Sequence, residues 1–130
     1  MFSLYLIISI IGLHYVSDYV FQSSWMASSK SHDIRALFAH VTCYSLTLGL
    51  GSFLLGLGGL YNFILPWVII NYILHMIVDI VSSKIAMKFF NPEDLRMVFL
   101  VDGFDQCLHY ACLFSTFILV NYYIPIIHFT

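Results

Sequence analysis

Four apolar runs, at about 2–22, 36–57, 63–88 and 97–120, each approach the roughly twenty residues that an α-helix needs to cross a hydrocarbon core. That pattern predicts an all-α fold, a four-helix transmembrane bundle forming a single integral membrane domain over residues 1–130. Composition agrees: 61% of the residues are hydrophobic and 9% charged, with a mean hydropathy of +0.91, far from an ordinary soluble domain. The breaks between the runs have the expected chemistry. Ser23 to Arg35 is polar, Gly56-Leu57-Gly58-Gly59 stops a helix, and Asn91-Pro92-Glu93-Asp94 predicts a helix start with Asn91 as cap and Pro92 at the first position. No Lys or Arg precedes Lys30 and no small-residue cleavage site follows the first run, so that run reads as a mature helix rather than a secretory signal.

The runs are not uniformly apolar. They contain His14-x3-Asp18, His40, His75-x3-Asp79 and Asp102-x2-Asp105-x3-His109. A charged carboxylate at mid-membrane costs roughly 2.5–3.5 kcal/mol on the translocon scale, so four left charged and unpaired would oppose insertion by about 10 kcal/mol. A partner for them is therefore required. Net charge is -2, with no basic surface of the kind that binds nucleic-acid phosphates. Cys43, Cys107 and Cys112 all lie in apolar runs without metal-binding spacing and read as free thiols.

All five basic residues, Lys30, Arg35, Lys84, Lys88 and Arg96, fall in or beside the first and third connections. The positive-inside rule then puts these connections in the cytoplasm and both termini outside. On that topology His14, Asp18, His40, His75, Asp79, Asp105 and His109 all fall in the cytoplasmic half, which favours one shared polar centre. At 100° per residue each run also has a single polar face: His14, Asp18 and Gln22; His40, Tyr44 and Thr47; Asn71, His75, Asp79 and Ser82; and Asp102, Asp105, Gln106 and His109. Opposite the second of these, Ser45, Gly49, Ser52 and Gly56 make a small-residue stripe suited to close helix packing within the bundle or to a homodimer contact. The recurrence of His-x3-Asp in runs one and three suggests two parallel-repeat helical hairpins whose motifs face each other. Trp25, Trp67 and Tyr122 read as interfacial anchors, and Asp102 as a solvated group in the headgroup zone.

His and Asp one helical turn apart can share one ion, or one can orient the other. Imidazole with carboxylate suits Zn, Mn, Fe or Ni, and this many donors on four helices would hold two ions, as helical bundles do at di-metal centres. The expected metal ligands are His14, Asp18, His40, His75, Asp79, Asp105 and His109. Asp105 and Gln106 are the expected catalytic pair, and Gln22, Lys30 and Lys84 the expected substrate contacts, the lysines drawing in an anionic head group. The competing reading is a hydrogen-bonded network that only specifies helix packing.

The segment His14-Tyr-Val-Ser-Asp18-Tyr-Val-Phe-Gln22-Ser-Ser-Trp25-Met26-Ala27-Ser-Ser-Lys30, followed by His40-x3-Tyr44, resembles the start of the family known as domain of unknown function 3307. His75-Met-Ile-Val-Asp79 and Asp105-Gln106-Cys-Leu-His109 are similar to that family's later motifs. The resemblance implies a small bacterial or phage inner-membrane protein with these polar positions in common, and no substrate.

The expectation drawn from the residues is a metal-dependent membrane hydrolase with a cytoplasmic-facing divalent transition metal site, Zn, Mn or Fe, acting on a lipid-linked or amphiphilic phosphate or ester. Two alternatives use the same residues. One is a proton- or metal-coupled carrier working as an oligomer, and the other a non-enzymatic modulator of a membrane protein.

Overall fold

The computed structural model describes residues 3–89 and 93–127. Helix α1 (Leu4–Tyr15) is capped by Ser3, whose hydroxyl accepts the Leu6 N–H, and runs directly into a π-helical turn at Val16–Val20. A short helix, α2 (Ser24–Ser29), is capped in the same way by Ser23. Then come α3 (Ile34–Leu54), a π-helical turn at Leu60–Ile64 continuing into α4 (Leu65–Phe89), and α5 (Leu95–Ile127). No strand occurs among the described residues. The chain is an all-α bundle.

Three helical stretches are long and apolar enough to cross a membrane: Ile34–Leu54, Tyr61–Phe89 and Leu95–Tyr122. The first apolar helix, Leu4–Val20, is shorter than those. It was expected to continue to residue 22, but the π turn ends at Phe21 and Ser23 begins a new helix, so Gln22 lies in the connection. The connection to α3 is not simply a polar loop, since α2 occupies half of it and packs on α3. Asp33 then starts α3 by accepting the Arg35 N–H, an interaction that holds its carboxyl below the usual carboxylate range.

The expected cap Asn91 and the following Pro92 lie outside the described residues. The described start of α5 uses Asp94, which accepts from the N–H groups of Arg96 and Met97. At the other end of α3, Gly56 takes φ +64°, the left-handed value that glycine adopts without a Cβ penalty at a helix end.

Helix α4 packs against α3 and α5, and α1 against α3. The seams explain the small residues. Gly51 faces Leu13 so closely that a Cβ there would collide with it, while a Cβ on Gly49 would just touch Val68. Ser45 and Ser52 are buried. The stripe on α3 thus lies at contacts within the bundle.

The apolar core consists of Ile10, Tyr44, Leu48, Phe63, Ile64, Trp67, Leu113, Phe117 and Val120. Trp67 is wholly buried, with its indole N–H donating to Leu113 O and Thr116 Oγ1, at 3.2 and 3.0 Å. The expectation of an interfacial Trp67 is therefore wrong. The π turn before α4 and the close packing of Phe63 and Phe117 around the indole carry it inward. Trp25 and Tyr122 are exposed.

Candidate functional site

Each long helix buries a ladder of residues about four apart, and on α4 and α5 the ladder has one apolar and one polar end. On α4 the ladder is Trp67, Asn71, His75, Asp79 and Ser82; on α5 it is Asp105, His109, Leu113, Thr116 and Val120; on α3 it is Ala36, His40, Tyr44 and Leu48. Because α4 and α5 run in opposite directions, their polar ends meet. The π turn delivers the fourth contribution. It widens the helix at Val16–Val20 and buries Ser17 and Asp18 together with His14, in the manner of π-bulges that serve a site.

All seven ligands expected from the sequence converge, and all are buried. Asp18 Oδ1 lies 3.1 Å from His40 Nε2 and 3.6 Å from His75 Nε2, and the two imidazole nitrogens are 3.1 Å apart. On the other side of the His40–His75 edge, Asp79 Oδ2 is 3.4 Å from His40 Nε2 and 3.5 Å from His75 Nε2. Asp79 Oδ1 and Asp105 Oδ2 then approach His109 Nε2, at 3.5 and 3.3 Å.

Two trios, Asp18–His40–His75 and His75–Asp79–His109, have donor atoms all within 4.8 Å of one another. The spacing is informative because a tetrahedral ion with bonds of about 2.0–2.1 Å has ligand–ligand edges of about 3.3–3.4 Å. The two triangles on the His40–His75 edge have sides of 3.1–3.6 Å. The orientation is as telling as the distance. Asp18 Oδ1, Asp79 Oδ2 and His109 Nε2 make no hydrogen bond despite this proximity. The paired motifs also meet across the bundle, Asp18 against His75, as the repeat in the sequence suggests.

His14 stands differently. Its Nε2 is 2.8 Å from Gln106 Oε1 and its Nδ1 is 3.2 Å from the Tyr44 hydroxyl, so both ring nitrogens are engaged and it joins neither trio. The Gln106 amide nitrogen donates to Asp18 Oδ2 at 3.0 Å and Asp105 Oδ2 at 3.4 Å. With carboxylates on its amino side, Gln106 must accept from His14, which puts the proton on His14 Nε2 and lets Nδ1 accept from Tyr44. Tyr44 is also stacked on His75, with ring centroids 3.9 Å apart, and His75 in turn on His109, at 4.0 Å. Tyr44 is legible in the sequence as part of a polar stripe and of the His40-x3-Tyr44 pattern; its place as a buttress to two histidines needs the neighbouring helices to be seen.

A pocket of about 550 Å³ opens from this cluster toward the connections before α3 and before α5. Asp18, Asp79, Asp105 and Gln106 line its floor, and Gln22, Lys30, Ser83, Met87, Val98 and Asp102 its walls. Lys30 reaches in from the end of α2, its Nζ 3.3 Å from His40 Nε2 and 3.4 Å from Asp79 Oδ1. Gln22 Oε1 is buried without a partner. Asp102 is exposed and accepts from the Tyr19 hydroxyl, tying the first helix to α5. The structure does not bring Lys84 into this group: it is exposed on α4 and does not line the pocket. Away from the pocket the cluster is closed by Ile10, Leu48, Trp67 and Leu113.

No curated protein and no solved structure matches the chain. One family model does, over residues 5–129, a span that takes in all but the first residue of the described helices and all of the clustered histidines and aspartates. The chain belongs to that family, described as protein of unknown function (DUF3307).

Proposed function

We propose that the protein is a metal-dependent membrane hydrolase, with its His/Asp centre in the cytoplasmic half of the bilayer, acting on a lipid-linked or amphiphilic phosphate or ester. The observation that carries this reading is the set of buried imidazole nitrogens and carboxylate oxygens that approach one another to 3.1–3.6 Å, with Asp18 Oδ1 and Asp79 Oδ2 left without a hydrogen bond. Asp18, His40 and His75 would hold one divalent transition metal and His75, Asp79 and His109 the approach to a second, Zn, Mn or Fe being the ions that such a mixture of imidazole and carboxylate suits. A divalent ion in such a site supplies Lewis acidity toward a phosphoryl or acyl oxygen and a nucleophile from water near neutral pH.

The chain's own residues do the rest. Asp105, whose Oδ1 is unpartnered at the floor of the pocket, accepts a proton from the attacking water. Gln106 holds the Asp18 and Asp105 carboxylates in register, and His14 and Tyr44 hold Gln106 and His75. Lys30, with Gln22 beside it, receives the anionic group of the substrate, and Lys84 raises the positive potential at the cytoplasmic surface. Both termini face outward on this topology, with the first and third connections inside.

A path through the protein finds less support, because the apolar residues beyond the cluster continue no chain of ionisable groups. The test is elemental analysis of protein purified without added metal or affinity-tag histidines, followed by turnover of alkyl phosphate and ester substrates in detergent. Stoichiometric transition metal and metal-dependent turnover are expected. Metal-free protein that folds normally would leave an architectural network as the better account.

A further inference from the structure

Three carboxylates, Asp18, Asp79 and Asp105, are drawn together in the cluster, and Lys30, which reaches one of them, Asp79, comes from outside the long helices. Lys30 closes α2, a six-residue helix with no buried residue of its own. Its side chain is nevertheless only 22% exposed, and its ammonium touches two groups of the donor set, Asp79 at the floor of the pocket and His40. The same His40 Nε2 serves the Asp18–His40–His75 trio. An ammonium at that distance does for the carboxylates what a metal would do, since it supplies positive charge where solvent is excluded. It also opposes a second cation at the same place, because like charges a few ångströms apart repel strongly in a partly buried site. A helix without buried residues gives up its position at little cost.

We propose that Lys30 is a tethered cation: it neutralises the donor set when no metal is bound, and it is displaced into the pocket when metal binds, where it becomes the group that receives the anionic part of the substrate. The inference rests on the metal reading above. It makes Lys30 a positioning residue with opposite effects on the two forms of the protein, which a residue that merely attracts substrate would not have.

The experiment uses the full-length protein and its Lys30→Met variant in detergent, both stripped with a chelator, with zinc as the probe. Zinc affinity is measured by competition with a chromophoric chelator, and thermal unfolding is followed without metal. Lys30→Met is expected to bind zinc at least about tenfold more tightly, since a repelling charge is gone, while its metal-free form melts at a lower temperature than the parent. In the unmodified protein, acetylation of Lys30, mapped by mass spectrometry, is expected to quicken when zinc is added. The exposed Lys84 and Lys88 serve as internal references that zinc leaves unchanged. Should the variant fail to fold, the acetylation rates decide. Zinc bound equally by both proteins, or Lys30 reactivity that zinc does not alter where the variant is unfolded, would overturn the tethered cation alone. Zinc bound by neither protein would overturn the metal reading together with it.

Discussion

The bundle holds two buried polar groups, and they are finished to different degrees. In the apolar half, Thr116 Oγ1 accepts from Trp67 Nε1 and Asn71 Nδ2, at 3.0 and 2.8 Å, and donates to Cys112 O at 2.7 Å. Its donor and both its acceptor sites are used, and the group ties α4 to α5. In the polar half, Asp18 Oδ1, Asp79 Oδ2, Asp105 Oδ1, His109 Nε2, His40 Nδ1 and His75 Nδ1 are buried with no hydrogen-bond partner. Unpaired hydroxyls do occur elsewhere, at Ser17, Ser45 and Ser52, but singly and without charge. A network kept for architecture looks like Trp67–Asn71–Thr116. Asp18 Oδ1, Asp79 Oδ2 and His109 Nε2 lie 3.1–3.5 Å from an imidazole nitrogen or a carboxylate oxygen without an aligned hydrogen bond, an arrangement less finished than the Thr116 network and open to a cation of the kind proposed above.

That contrast is breakable. The largest expected effect is from His75→Ala, because His75 belongs to both trios. Metal content, read by elemental analysis, should fall by more than the roughly 10–100-fold that loss of an outer-shell partner costs, and turnover should vanish while helicity by circular dichroism is kept. Retention of stoichiometric metal would place the ions elsewhere. Trp67→Ala should do the reverse. Removing a fully buried indole costs about 3–5 kcal/mol, so thermal unfolding in detergent should come far earlier, yet metal per folded chain should be unchanged. If metal is lost in proportion, the two halves are one cooperative unit rather than a scaffold and a site.

Smaller in effect is Gln106→Ala, which frees two carboxylates and His14 without removing a ligand from either trio. A drop of about 10–100-fold in metal affinity or in turnover is expected, with the fold intact. Asp33 lies outside the spans and gives the least. The Arg35 N–H depresses its carboxyl, so the cap is at full strength above the ordinary carboxylate pKa and weakens as pH falls through the lowered value. Asp33→Asn should flatten that acid limb of the stability–pH curve and leave metal content untouched. An acid limb identical in the variant would show that the cap carries none of the pH dependence.

The clustering of the histidines and aspartates is legible in the sequence. His-x3-Asp spacing, one polar face per run and a common depth brought out seven residues, and the structure draws all seven into one cluster. Burial of ionisable groups in an apolar run is so costly that their positions leave few arrangements open. Residues with ordinary alternatives were harder to read. Trp67 could have sat at an interface like any aromatic residue near a run's end, and only the closure of Phe63 and Phe117 around it decides otherwise. His14 carries the same motif as His75, yet Gln106 and Tyr44 occupy both its nitrogens, an outcome set by residues 92 and 30 positions away. Lys30 reads from the sequence as a substrate contact, and only the fold of α2 shows its ammonium against Asp79 and His40.

Helical class and the one polar face of each run were thus determined by the sequence alone, because they follow from hydropathy, helical periodicity and the cost of burying charge. Tertiary structure decided which nitrogens remain free, which carboxylate oxygens share an edge, and that the apolar half closes one end of the centre while the other opens into a pocket. Those outcomes depend on the register and rotation of helices against one another. Shifts of an ångström there separate a hydrogen bond from a close approach without one.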